Sequence, residues 1–150
     1  MSNAVTFKVE GLAELDAKLG ELTQSAAKGV LRRVGRKALV PFDEAWRARA
    51  PVLSGVLSRS GSIGSKLSRS QRKAHERESF IEVFAGPGTN PQAIQTEFGN
   101  RHEAAQPYAR PAWDATKDQV LQIVRTELGG EIAKAAGRAA KKAAKLAAEG

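Results

Sequence analysis

The chain has 150 residues, room for one domain with an appended tail, and 24 Lys and Arg against 16 Asp and Glu leave it at +8. It contains no cysteine, which excludes disulfides, thiolate nucleophiles and cysteine-ligated zinc. Only 41% of its residues are apolar and 5% aromatic, so a modest core with partner-dependent segments is expected.

The opening MSNAVTFKVEG has no basic region followed by an apolar run, so it does not read as a signal peptide. No stretch approaches the ~18 apolar residues of a membrane span, and a soluble chain made in a cytoplasm is expected. Within that opening, Val5–Val9 alternates and reads as a short strand ended by Gly11. Leu12, Leu15, Leu19 and Leu22 then recur at three and four, the face of an amphipathic helix. From about Ser25 to Ala50 the spacing of Leu31, Val34, Ala38, Phe42, Ala45 and Trp46 predicts a long helix. Pro41 lacks an amide donor and predicts a kink or break between Val40 and Phe42, and Pro51 ends the helix.

Between Pro51 and Ser79 the chain is rich in Ser, Gly and basic residues. Val56–Ile63 reads as an interrupted strand, and 64–78 as a mobile hairpin tip or loop. From Arg59 to Arg77 six Lys and Arg face one Glu, a local charge of +5. Ser79–Ala85 alternates with apolar groups on both faces and is expected to be a central strand, ended by the turn residues GPGTNP. After Ala93–Phe98 comes a second turn region, and Ala112–Leu128 is an amphipathic helix through Trp113, Val120, Ile123, Val124 and Leu128. Gly129-Gly130 is expected to break it. The last twenty residues, rich in Ala and Lys, form a helix with a thin apolar stripe and a basic face.

Nothing in these segments nominates a reaction. His75 and His102 lack a ligand partner at helical or turn spacing, and His102-Glu103 opens an HExxH pattern that no second histidine completes. No GxSxG elbow frames Ser54, Ser58, Ser60 or Ser62, and the glycine pairs lack the GK[ST] of a phosphate loop. Non-enzymatic function without a metal or other cofactor is expected. The basic clusters at Arg32, Arg33, Arg36 and Lys37, at 59–77 and at the C-terminus permit phosphate contact, but no DNA-reading module accompanies them.

Three motifs in register resemble one family. Ala50-Pro51-Val52-Leu53-Ser54-Gly55-Val56-Leu57-Ser58-Arg59-Ser60 resembles an A-P-x-x-[ST]-G-x-L-x-x-S signature, and Val83-Phe84-Ala85-Gly86-Pro87 a V-x-V-G strand end. Thr96-Glu97-Phe98-Gly99 with Gln106-Pro107-Tyr108-Ala109-Arg110-Pro111-Ala112-Trp113 resembles x-E-F-G-T … x-P-F-x-R-P-A. Order and spacing are similar to the head–tail joining (neck and tail-completion) proteins of long-tailed bacteriophages over roughly residues 5–130. Asn100, Tyr108 and Ser54 depart from the pattern conservatively.

The resemblance implies an α+β fold, a small mostly antiparallel sheet packed by a long helix in the first half and a C-terminal helix, with an extended basic loop. Residues 1–130 would be the neck domain and 131–150 an Ala/Lys-rich helical extension. It implies a virion subunit assembled in the host cytoplasm into a ring around the DNA channel, six copies if it follows tail symmetry. Neighbours would be the head connector and the tail-terminator or tail-tube proteins, with non-specific DNA contact in the channel and no membrane. Candidate subunit contacts are Arg59, Arg69, Arg72, Lys73, Glu97, Phe98, Gly99, Pro107, Tyr108, Arg110 and Pro111. The alternative is a basic DNA-binding accessory protein.

Overall fold

The computed structural model describes residues 12–52 and 55–150; the expected Val5–Val9 strand, Gly11, and the signature residues Leu53 and Ser54 lie outside them. The fold is α+β: helices α1 (Leu12–Gly20), α2 (Gln24–Ala38), α3 (Val40–Arg49), α4 (Val56–Arg59), α5 (Arg69–Ala74), α6 (Pro91–Phe98) and α7 (Ala109–Ala148), with strands β1 (Ser62–Gly64) and β2 (Phe84–Gly86). The strands pair antiparallel with Ile63 opposite Ala85.

Thr23 caps α2, its hydroxyl accepting from the Ala26 amide at 3.3 Å. The expected long helix breaks at Leu39, just before Pro41, which occupies the first turn of α3 where its missing donor costs nothing. Ala50 then turns extended (φ −61°, ψ 131°), the geometry its neighbour Pro51 demands.

Two apolar clusters hold these elements. Trp46, Ala50, Leu57, Ala93, Tyr108 and Ala112 form one, with Phe42 packed against it. Trp46 and Tyr108 rings lie 5.9 Å apart there, and Phe42 meets Trp113 edge-on at 5.7 Å. Val30, Val34, Leu128, Ile132 and Ala135 form the second, against which Leu15 and Leu19 of α1 and Leu22 just after it pack. The leucine spacing that predicted an apolar face thus finds its partner on α2 and α7.

α7 overturns the expected break at Gly129-Gly130. It runs unbroken for 40 residues. Ile132 and Ala135 beyond the glycines are buried, and Glu131, 5% exposed, accepts from Arg33 Nε at 3.0 Å and Lys37 Nζ at 3.3 Å. Packing and ion pairs from α2 on both sides of the glycines outweigh their roughly 1 kcal/mol each of helix cost. The Arg33 and Lys37 contacts hold the Glu131 carboxyl below its usual range, against the opposing effect of burial. From Ala136 onward every residue of the C-terminal extension is exposed.

The strand expectations shrink. Val56–Arg59 is a helical turn, entered through Gly55 at φ 72°, with Ser58 Oγ donating to the Gly55 carbonyl and Ser60 Oγ to that of Leu57. Gly55 therefore turns the chain into a helix and not into a strand, since these serines satisfy local carbonyls before a ladder does. Of Ser79–Ala85 only Phe84 and Ala85 enter a ladder. Arg77 donates to the carbonyls of Ser79 and Phe80, Ser79 Oγ donates to that of Ile81, and the strap they curl at 79–83 lies outside the sheet, where a central strand was expected. Gly35 makes room for it: a Cβ there would sit 2.7 Å from Val83 Cγ2. The 64–78 tip holds α5, opened by a capping box in which Ser68 Oγ accepts from the Gln71 amide and Gln71 Oε1 from that of Ser68.

Candidate subunit-contact surface

The EFG and PYARPA elements meet at one carboxylate. Glu97, in the last turn of α6, is 5% exposed and points at the first turn of α7. Its Oε2 accepts from the amides of Tyr108 (2.7 Å) and Ala109 (2.9 Å), and its Oε1 from the amide (3.1 Å) and Nε (2.9 Å) of Arg110. The first amides of a helix have no partner within it and carry its positive end. α7 has no capping side chain of its own at Tyr108, so Glu97 caps it from eleven residues away. Burial pushes the Glu97 carboxyl up, but the Ala109 and Tyr108 amides and then Arg110 overcome it and hold it below the usual range.

The rest of the corner is built around this node. Arg110 Nη2 donates to the Glu97 carbonyl at 3.1 Å, and its guanidinium lies 4.7 Å over the Phe98 ring. Tyr108 is 1% exposed and its hydroxyl donates to the Ala93 carbonyl at 3.1 Å. Burial, then the Glu97 charge, push that phenol up to about 12. Gly99 (φ 75°) closes α6, and a Cβ there would meet the Ala105 amide nitrogen at 2.7 Å. Asn100 Oδ1 accepts from the His102 and Glu103 amides, and the Gln106 amide returns to the Thr96 carbonyl. His102 and Glu103 are thereby turn residues.

The predicted contact residues divide. Glu97 and Tyr108 are interior and Gly99 is consumed by the loop closure, which leaves Phe98, Pro107, Arg110 and Pro111 as the exposed members of this corner. Ile94, one turn before Phe98, is 70% exposed and Phe98 61%, an outward apolar pair the motif reading missed although its i, i+4 spacing was visible. Arg69, Arg72 and Lys73 stand exposed on α5, which Gln71 Nε2 ties to the Gly88 carbonyl at 3.0 Å. Arg59 is exposed at the end of α4, its Nε donating to the Gly55 carbonyl at 3.0 Å.

Sequence reasoning also missed Arg47. Its guanidinium donates to Asp43 Oδ2 (2.9 Å), the Ser58 carbonyl (2.8 Å) and the Gly61 carbonyl (3.3 Å), stapling α3 to the turn before β1. His75 meets Glu82 at 2.9 Å and the edge of Phe84 at 5.4 Å between ring centroids. That contact, with the Glu78 amide, holds the Glu82 carboxyl low. No group of three or more His, Cys, Asp and Glu able to hold a metal ion lies among the described residues.

Compared with family models, with curated proteins and with solved structures, the chain finds no match.

Proposed function

We propose that the chain is a structural subunit of a tailed-phage virion, repeated in a ring at the head–tail junction where the tail tube meets the head connector around the DNA channel. The observation that carries this reading is the α6–α7 corner. The EFG and PYARPA residues of the resemblance to neck and tail-completion proteins gather around Glu97, and they leave Phe98 and Arg110 facing outward. A closed ring requires each copy to present fixed, mutually complementary surfaces. Side chains already held in place lose little further freedom on contact, which favours association. On this reading the protein does no chemistry.

Mass spectrometry and electron microscopy of purified particles test the proposal. A ring of this subunit in the neck is expected, and Ile94→Ala/Phe98→Ala is expected to yield filled heads and complete tails that fail to join. Absence of the protein from purified particles overturns the reading. The exposed Arg138, Lys141, Lys142 and Lys145 at the end of α7 favour a second reading, a basic DNA-binding accessory protein. It predicts duplex binding by the isolated chain that falls steeply with salt in a gel-shift series.

A further inference from the structure

The strap at residues 79–83 separates two depressions of opposite character. On one side a slot of about 520 Å³ is lined by apolar groups of α2 and α7, among them Leu31, Val34, Val124 and Leu128. On the other an open cleft of about 750 Å³ is lined by Arg32, Lys66, Arg72 and Arg77. Phe80 and Ile81 line both, so they form the shared wall. Phe80 is 54% exposed even with Lys28 Nζ 4.2 Å from its ring centroid.

The cleft's cations are not neutralised from within. Its carboxylate, Glu82, is engaged by His75 at 2.9 Å. Arg77 is spent on the Ser79 and Phe80 carbonyls. Arg32, Lys66 and Arg72 have no ion-pair partner among the described residues.

We propose that the Phe80–Ile81 wall seats an extended segment of a partner protein in which acidic and apolar residues alternate. Successive side chains of an extended chain point to opposite sides. A segment lying along the wall sends its apolar set into the slot and its carboxylates toward Arg32, Lys66 and Arg72. Charge complementarity selects an acidic occupant, and the slot selects a peptide over nucleic acid. A phosphate backbone satisfies the cations and leaves the apolar side empty. The inference does not use the α6–α7 corner that carries the ring reading, although the strap includes Val83 of the VFAG motif and the cleft includes Arg72 of the predicted contacts.

The test is a fluorescence-anisotropy titration of the full chain with a labelled octapeptide of alternating Glu and Val. Probes for comparison are octaglutamate, the alternating Lys–Val octapeptide, a duplex DNA and a peptide of residues 1–11. The alternating acidic peptide is expected to bind best. The exposed-site variant R32A/K66A/R72A is expected to weaken it about tenfold, as loss of three solvent-screened charge contacts implies. Ile81→Glu, with its fold checked by circular dichroism, is expected to abolish binding by placing a carboxylate in the wall. Equal binding of octaglutamate overturns the slot's role. Tighter binding of duplex reassigns the cleft to nucleic acid, and tighter binding of the 1–11 peptide reassigns the slot to this chain; either result overturns the proposal. Absence of saturable binding by every probe overturns it as well.

Discussion

Glu97→Gln isolates the cap of α7 from its packing, because the side chain keeps its shape and loses its charge. In the native protein both carboxylate oxygens accept two donors each, at 2.7 and 2.9 Å on Oε2 and 2.9 and 3.1 Å on Oε1. An amide keeps one acceptor and turns the other atom into a donor that faces two donors. Two charge-assisted bonds are lost, each worth about 1.5–3 kcal/mol. Half of that is recovered by relaxation toward water at the exposed Arg110 side, which leaves about 2 kcal/mol of destabilisation. For a chain of this size that is a fall of ~6 °C in melting temperature.

Urea unfolding followed by circular dichroism reads the change as a shifted midpoint at constant slope. The gap between native and variant must also depend on pH. The folded Glu97 pKa lies below its unfolded value, so its contribution is present above the ordinary carboxylate range and is lost as pH falls through the depressed folded pKa. The two proteins therefore converge in stability in acid. A gap under about 1 kcal/mol at pH 7, or one that does not change with pH, refutes the cap as the source of stability at this corner.

Tyr108→Phe removes the bond to the Ala93 carbonyl and is expected to cost about 1 kcal/mol at pH 7. The Tyr108 phenol is raised to about 12, so native stability falls as pH rises from the unfolded tyrosine value of about 10 toward 12, and the variant lacks that alkaline loss. Gly99→Ala forces a Cβ against backbone at positive φ and is expected to cost about 2 kcal/mol by the same unfolding assay. Gly129→Ala/Gly130→Ala is expected to stabilise by about 1–2 kcal/mol in calorimetry, because the Gly129 Cβ meets only Leu15 Cδ2 at 3.8 Å and the Gly130 Cβ meets nothing within 4 Å. Destabilisation by that double variant would show that the glycines serve a bend after all.

Local information was enough for much of the architecture. Leucines at three and four along α1 marked its buried face, Pro41 the break before α3, and Pro51 the end of α3, because each effect acts within one turn of the chain. The EFG and PYARPA runs marked the important corner for the same kind of reason: Gly99 and the prolines restrict their own backbone. What those residues do there was decided elsewhere. Glu97 acts on amides eleven to thirteen positions away. The clamp that carries α7 through Gly129-Gly130 joins Arg33 to Glu131 across 98 positions. Ser79–Val83 has the alternation of a strand, yet Arg77 and Ser79 claim its carbonyls and Gly35 admits Val83 against α2. Spacing along a sequence fixes which faces are apolar and where the backbone must turn. Which donors and carboxylates come within 3 Å of one another depends on chain reversals that bring distant positions together, and the tertiary structure alone decided those.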